Sequence, residues 1–397
     1  MNCRVKSVSI SWGLIGPHVI NSRRITPSAE DRGGAPAFQL WSDDDPEEHT
    51  DDNQDPHMCG SFRAVAVDIL DESRWKLDVE IDISGTDLLN EKLQLCGDND
   101  AAVDVIRPVL TPLEFREMGR NHLSVEVRPP WVQREVPWGL AGNITWRLRK
   151  VGDQRWIGLN STRLEFYALR HPLPLPFFGN TVQVELLRKV LLPQRMWRPS
   201  DTWEKYCCRL AFQDFAFKYD TINGRSSYYK RAINGKEVGE FKLGAYLKGI
   251  GKEGRVNCYD QAAALQVFLP LSPTIAEVEY MFMRPFGFIH TTVLVGRGAC
   301  NNPFYGPKEK AKIVLRRSDE RTRFGNHAFV RFRRRDDTNH KIVDACCGPH
   351  MGDEDLNGYL TESIDHKINS KWAEVPGVNG TAANARIGVG VKKLSML

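Results

Sequence analysis

The 397-residue chain lacks any run of about eighteen apolar residues, the length a membrane-spanning helix requires, so no membrane partner is expected. It has no CxxC pair, which leaves a structural zinc site without support. No Gly-rich phosphate loop or dinucleotide fingerprint stands between a strand and a helix. Charge of one sign is scarce as well: the net value of +4 is too small to make nucleic acid the main partner. The apolar run near the N-terminus is short and is broken by Trp12, Gly13, Gly16 and Pro17, a poor secretory signal. The nine cysteines are odd in number, include the adjacent pairs Cys207-Cys208 and Cys346-Cys347, and show no framework spacing. A reduced, cytoplasmic setting fits that pattern, and the sequons at Asn143, Asn160 and Asn379 would matter only in a secreted protein.

What is present is an ordinary globular composition, 41% hydrophobic and 26% charged, on a chain long enough for two domains. Residues 42–56 are acidic and nearly free of apolar side chains, which reads as an exposed linker; their spacing does not match a calcium loop. From 57 to 195 the signals are strands: 62–69, 76–83, 123–128, 144–148, 163–169 and 182–187 alternate or are rich in β-branched and aromatic residues. An antiparallel, sandwich-like domain is expected there. The spacing of residues 202–219 predicts a helix, followed by a helix starting near Cys258 and by strands at 277–283, 289–295, 312–315, 328–332 and 342–345. The expected organisation is an N-terminal segment with an acidic, partly disordered linker over 1–56, the β-rich domain over 57–195, an α+β catalytic domain over 196–370, and a flexible Gly/Asn/Ala-rich tail over 371–397.

Chemistry concentrates in the second half. In RVNCYDQAAALQVFL, Asn257 can cap a helix and Asp260 stands where a capping box needs an acid. Cys258 then lies in the first turn, where the helix dipole favours a thiolate. Further on, FGNHAFVRF turns into a strand at His327, and IVDA is a short strand containing Asp344. With the polar run 333–340 as the hairpin loop, the two residues lie nearly opposite each other. An Asp in an apolar strand needs a partner, because an unpaired buried charge is costly. His327 is the natural one, and a carboxylate so placed fixes the imidazole tautomer.

This order of motifs (C-Y-D-x-A-A, then H-A-F-V-x-F, then I-V-D-A) resembles the core of the transglutaminase-like superfamily over about residues 203–352. The resemblance implies a papain-type helix packed on an antiparallel sheet. It also implies acyl transfer from an amide, through a thioester, to an amine or water. Carried over, Cys258 attacks, His327 moves the proton and Asp344 orients His327, with no metal or cofactor. Family members often use an upstream Trp or Gln at the oxyanion, for which Trp203 and Gln213 are loose candidates; the Cys258 N–H is another donor.

Other residues compete for these roles. His290 also begins a strand, but no Asp follows it at hairpin distance. Cys346 and Cys347 lack a helix N-terminus and read as wall residues. Gly348 and His350 read as surface loop. The basic stretch 308–341 could face an acidic or carrier-bound substrate, or be solvated surface. The expected partner is a peptide, amide or carrier-bound acyl compound. The alternatives are a biosynthetic small-molecule amide synthase and a non-catalytic module that keeps the fold; the oligomeric state is not legible.

Overall fold

The computed structural model describes residues 3–10, 18–21, 24–27, 38–42, 61–62, 64–70, 76–99, 103–106, 113–126, 136–170, 182–192, 198, 201–231, 239–306, 311–368 and 381–395. The chain is mixed, with more strand than helix and mainly antiparallel sheets. It divides into two compact units, Met1–His171 with Asn180–Gln194, and Pro172–Gly179 with Arg195–Leu397.

In the first unit, a five-stranded sheet runs in the order Gly119–Glu126, Lys76–Ile83, Cys3–Ile10, Phe38–Ser42, Ser61–Phe62. A second sheet is built around Lys92–Asn99, Trp138–Lys150 and Ile157–Leu169, which continues in parallel to Ala64–Asp68 and on to His18–Asn21 and Arg24–Pro27. Period-two patterning sets the faces: Leu77, Val79, Ile81 and Ile83 point into a core shared with Leu93, Leu95, Trp146 and Phe166. Four strands lie within the first 56 residues, so that part of the expected separate N-terminal segment belongs to these sheets. The acidic run itself, residues 43–56, lies outside the described residues.

The expected strand at 182–187 is instead a helix, α1 (Val184–Leu191). Its valines suggested a strand, but Leu187 and Leu191 recur at helical spacing and are buried, and Arg188 pairs with buried Glu165 at 2.8 and 2.9 Å.

In the second unit, α2 (Trp203–Arg209) passes into a wide turn, Leu210–Asp214, and ends. The helix expected to continue to Tyr219 is stopped by Ala216, at φ 56°, and Lys218–Tyr219 pairs as a strand with Arg255–Val256. α3 (Leu243–Gly249) precedes α4 (Cys258–Phe268), which is buried at every position but Tyr259. α4 lies against a five-stranded antiparallel sheet ordered His350–Met351, Lys341–Asp344, His327–Arg334, Ile275–Met283, Ala385–Ile387. α5 (Leu356–Ser363) follows.

No strand forms at 312–315. The side-chain amide of Asn301 bonds both the N–H and the C=O of Val314, taking the place of a neighbouring strand, and Ile313 and Leu315 are exposed. The expected loose tail is also partly ordered: Ala385–Ile387 pairs with Ile275–Met283, and Val391–Leu394 pairs with Gly239–Phe241. Residues 371–380 lie outside the described residues.

Candidate active site

The helix that carries Cys258 is fixed by the residues on either side of that thiol. Asn257 Oδ1 accepts from the N–H groups of Tyr259 (3.0 Å) and Asp260 (3.2 Å), and Asp260 Oδ2 accepts from the Asn257 N–H (3.1 Å). The Asp260 carboxylate also takes the Ser226 hydroxyl and the N–H groups of Ser227, Tyr228 and Tyr229 at 2.6 to 2.9 Å. One turn along, the Gln261 side chain donates to the carbonyls of Ala211 (2.7 Å) and Ala345 (3.0 Å) and accepts from Tyr246 Oη (2.8 Å). Gln261 thereby ties α4 to the chain immediately after Asp344.

The strands of His327 and Asp344 form a hairpin with Val330 opposite Val343. Extended along the ladder, that register sets Phe329 opposite Asp344, with His327 two residues further on the same face. The diagonal is short enough for contact: His327 Nε2 and Asp344 Oδ2 are 2.7 Å apart. Asp344 Oδ2 also accepts from Tyr359 Oη (3.0 Å), and Oδ1 from the N–H groups of Cys346 (2.8 Å) and Cys347 (3.3 Å). A carboxylate that is 1% exposed thus has four donors.

Phe286 and Phe324 pack on the imidazole, with ring centroids 4.7 and 5.0 Å away. Burial alone would push His327 down, but the charge of Asp344, then that of Cys258, and the hydrogen bond to Asp344 raise it to about 10. Burial would push Asp344 up, and His327 overcomes this and holds it below the ordinary carboxylate range. With Nε2 committed to Asp344, Nδ1 is the ring atom left for other chemistry; it is buried and has no hydrogen-bond partner. Cys258 interacts with this same imidazole. The structure therefore gathers Cys258, His327 and Asp344, with the sulfur residue 3% exposed.

The competing residues fall elsewhere. Interactions of the His290 ring are with Asp365, Arg316, His366 and Arg321. Cys346 and Cys347 are buried, and burial pushes both thiols well up, so they serve Asp344 through their backbone. Trp203 donates its indole N–H to the carbonyls of Phe268 and Leu269, at the far end of α4, on the order of 15 Å along the helix from Cys258. Gln213 is exposed on the turn after α2. Trp203 therefore does not stand at the thiol, whereas Asn257 Oδ1 leaves the Cys258 N–H untaken.

His350 is not on a surface loop: it pairs with Asp344 in the sheet, bonds Glu354 (2.6 Å) and Ser363 (3.1 Å), and meets the Tyr359 ring edge-on. In the basic stretch, Lys312, Arg316, Arg321, Arg331, Arg333 and Arg334 are paired with acids.

Sequence reading missed Tyr359, Gln261 and Asn326, whose Oδ1 accepts from Tyr259 Oη at 2.7 Å. Tyr359 had no readable signal. Asn326 did, since it directly precedes His327. Comparison with protein-family models and with curated proteins finds no match to this chain.

Proposed function

We propose that the chain is a transglutaminase-like cysteine acyltransferase or amidase, with Cys258 as nucleophile, His327 as proton carrier and Asp344 as the residue that orients His327. The observation that carries this reading is the buried His327–Asp344 pair in electrostatic contact with a cysteine in the first turn of a capped helix. A scaffold has no need of a buried imidazole–carboxylate pair beside a thiol.

The thiolate form of Cys258 attacks the donor carbonyl, and the new C–S bond forms as the carbonyl π pair moves to oxygen, facing the Cys258 N–H. On collapse, the bond to the leaving amine or thiol breaks, and His327 Nδ1 gives that group its proton. The neutral imidazole then takes a proton from an amine or water as it attacks the thioester; the C–S bond breaks and the thiolate returns. Asp344 keeps the imidazolium in the required orientation throughout.

The 3% exposure of Cys258 favours a second reading, a closed binding module, and for turnover it means the covering side chains must move aside. Alkylation separates the two. With iodoacetamide at neutral pH, peptide mapping of the native protein should find Cys258 labelled at least tenfold faster than Cys207, Cys208 or Cys346, with the advantage gone in His327→Ala. Labelling no faster than at those buried thiols would reject the enzymatic reading. An acyl adduct on Cys258 in the intact mass, after incubation with thioester or amide donors, identifies the donor class.

A further inference from the structure

A cavity of about 390 Å³ opens beside the start of α4 and is walled by Tyr229, Tyr259, Tyr280 and Phe282. Tyr229 stacks between Tyr259 (6.1 Å, 4°) and Tyr280 (5.5 Å, 20°), and Tyr259 leans on Phe282 (6.0 Å). Its charged lining is entirely cationic: Arg231, Arg386 and Lys392. Two of these guanidiniums stand over one ring, Arg231 at 5.3 Å and Arg386 at 5.9 Å from the centroid of Phe282. Like charges lining one cavity repel, and an anion beside Arg386 and Lys392 relieves that repulsion. Among the described residues no ion pair is found for Arg386 or Lys392, in contrast to the paired cations of the stretch 308–341.

A second observation is independent of charge. Tyr280 is 2% exposed, lines the cavity, and its hydroxyl has no hydrogen-bond partner. Burial holds this phenol far above its ordinary range, so it remains a donor at every physiological pH. An unused buried donor in the cavity's wall lacks an acceptor, and a ligand oxygen supplies one once the side chains covering the hydroxyl give way.

We propose that this cavity binds an anionic group, a carboxylate or phosphate, carried on a flat aromatic body that stacks among the tyrosines while the anion meets Arg386, Lys392 and Tyr280. Tyr259 links the cavity to the thiol site, because it follows Cys258 in sequence and its hydroxyl bonds Asn326, the residue before His327. Resting on the acyl-transfer reading above, this deepens it: the acyl donor, or the acceptor, bears such a group.

The test uses the full chain with Cys258→Ala, so that binding is read without turnover. Benzoate, phenyl phosphate, inorganic phosphate and neutral benzyl alcohol are titrated by calorimetry. Benzoate or phenyl phosphate should bind, with the stronger of the two identifying the anion, and benzyl alcohol should not. The double variant Arg386→Ala/Lys392→Ala, whose side chains are exposed, should weaken binding at least about tenfold, and Tyr280→Phe by several-fold. Equal binding of benzyl alcohol, no binding of any anion, or indifference to the double variant overturns the proposal. Confirmed binding together with no preferential labelling of Cys258 would leave the cavity standing and remove the enzymatic reading alone.

Discussion

At the scale of single residues, the Asp344 carboxylate decides the electrostatics of the site. Its partner His327 has a raised value, so the stability it lends is complete below the ordinary 6.5 and is lost as pH climbs through about 10. Asp344 has a lowered value, so its share is present above the ordinary 3.8 and is lost as pH falls through the still lower folded value. In NMR titrations the His327 imidazole should therefore still be protonated at pH 8. Asp344→Asn should lower its midpoint by about 2 pH units, since an opposite charge at contact is worth that much. An unchanged midpoint would show that Asp344 does not set the charge of the ring. These two residues were legible in sequence because an apolar strand has no other reason to hold a carboxylate. Tyr359, which supplies a further donor, lies on a helix whose relation to Asp344 exists only in three dimensions.

At the scale of elements, α4 could be read almost to the residue. Its cap, its alanine run and its apolar flanks all favour the same state, and the reciprocal Asn257 and Asp260 bonds form as expected. Asn257→Ala should cost about 1 kcal/mol in denaturant unfolding, the usual value of a cap. Gln261→Ala should cost more, about 2–3 kcal/mol, because it strands two buried carbonyls and a tyrosine hydroxyl. Equal losses would mean that Gln261 is not the tie between α4 and the Asp344 strand. The elements that sequence missed have separate causes. Cys3–Ile10 pairs with a register shift between Val5 and Ser7, and that bulge puts buried Val5 and Val8 three apart instead of two. Lys92–Asn99 buries Leu93 and Leu95, residues without strand bias of their own.

At the scale of the whole molecule, residues 381–395 are part of the second unit. Glycines at 388 and 390 suggested loose chain, yet they allow close approach: a Cβ on Gly388 would meet Phe282 Cβ at 2.9 Å, and one on Gly390 the Gln266 side-chain amide at 2.6 Å. Gln266 Oε1 accepts the Val391 N–H at 2.7 Å, and Tyr229 Oη donates to Val389 O. Deleting 381–397 should remove two strands and leave both side chains without these partners. Limited proteolysis should then cut first around residues 229–241, and the unfolding temperature of the variant should fall. A cleavage pattern identical to the full chain would show that these strands are dispensable.

The order in which a ribosome makes these parts gives the cavity a timetable. Cys258, His327 and Asp344 all leave the exit tunnel before Arg386 and Lys392, the cations on the strands that complete the Tyr229 wall. On the proposals above, a nascent or clipped chain carries Cys258, His327 and Asp344 before it carries the cations that would hold an anion beside them, so recognition is the last property to be completed.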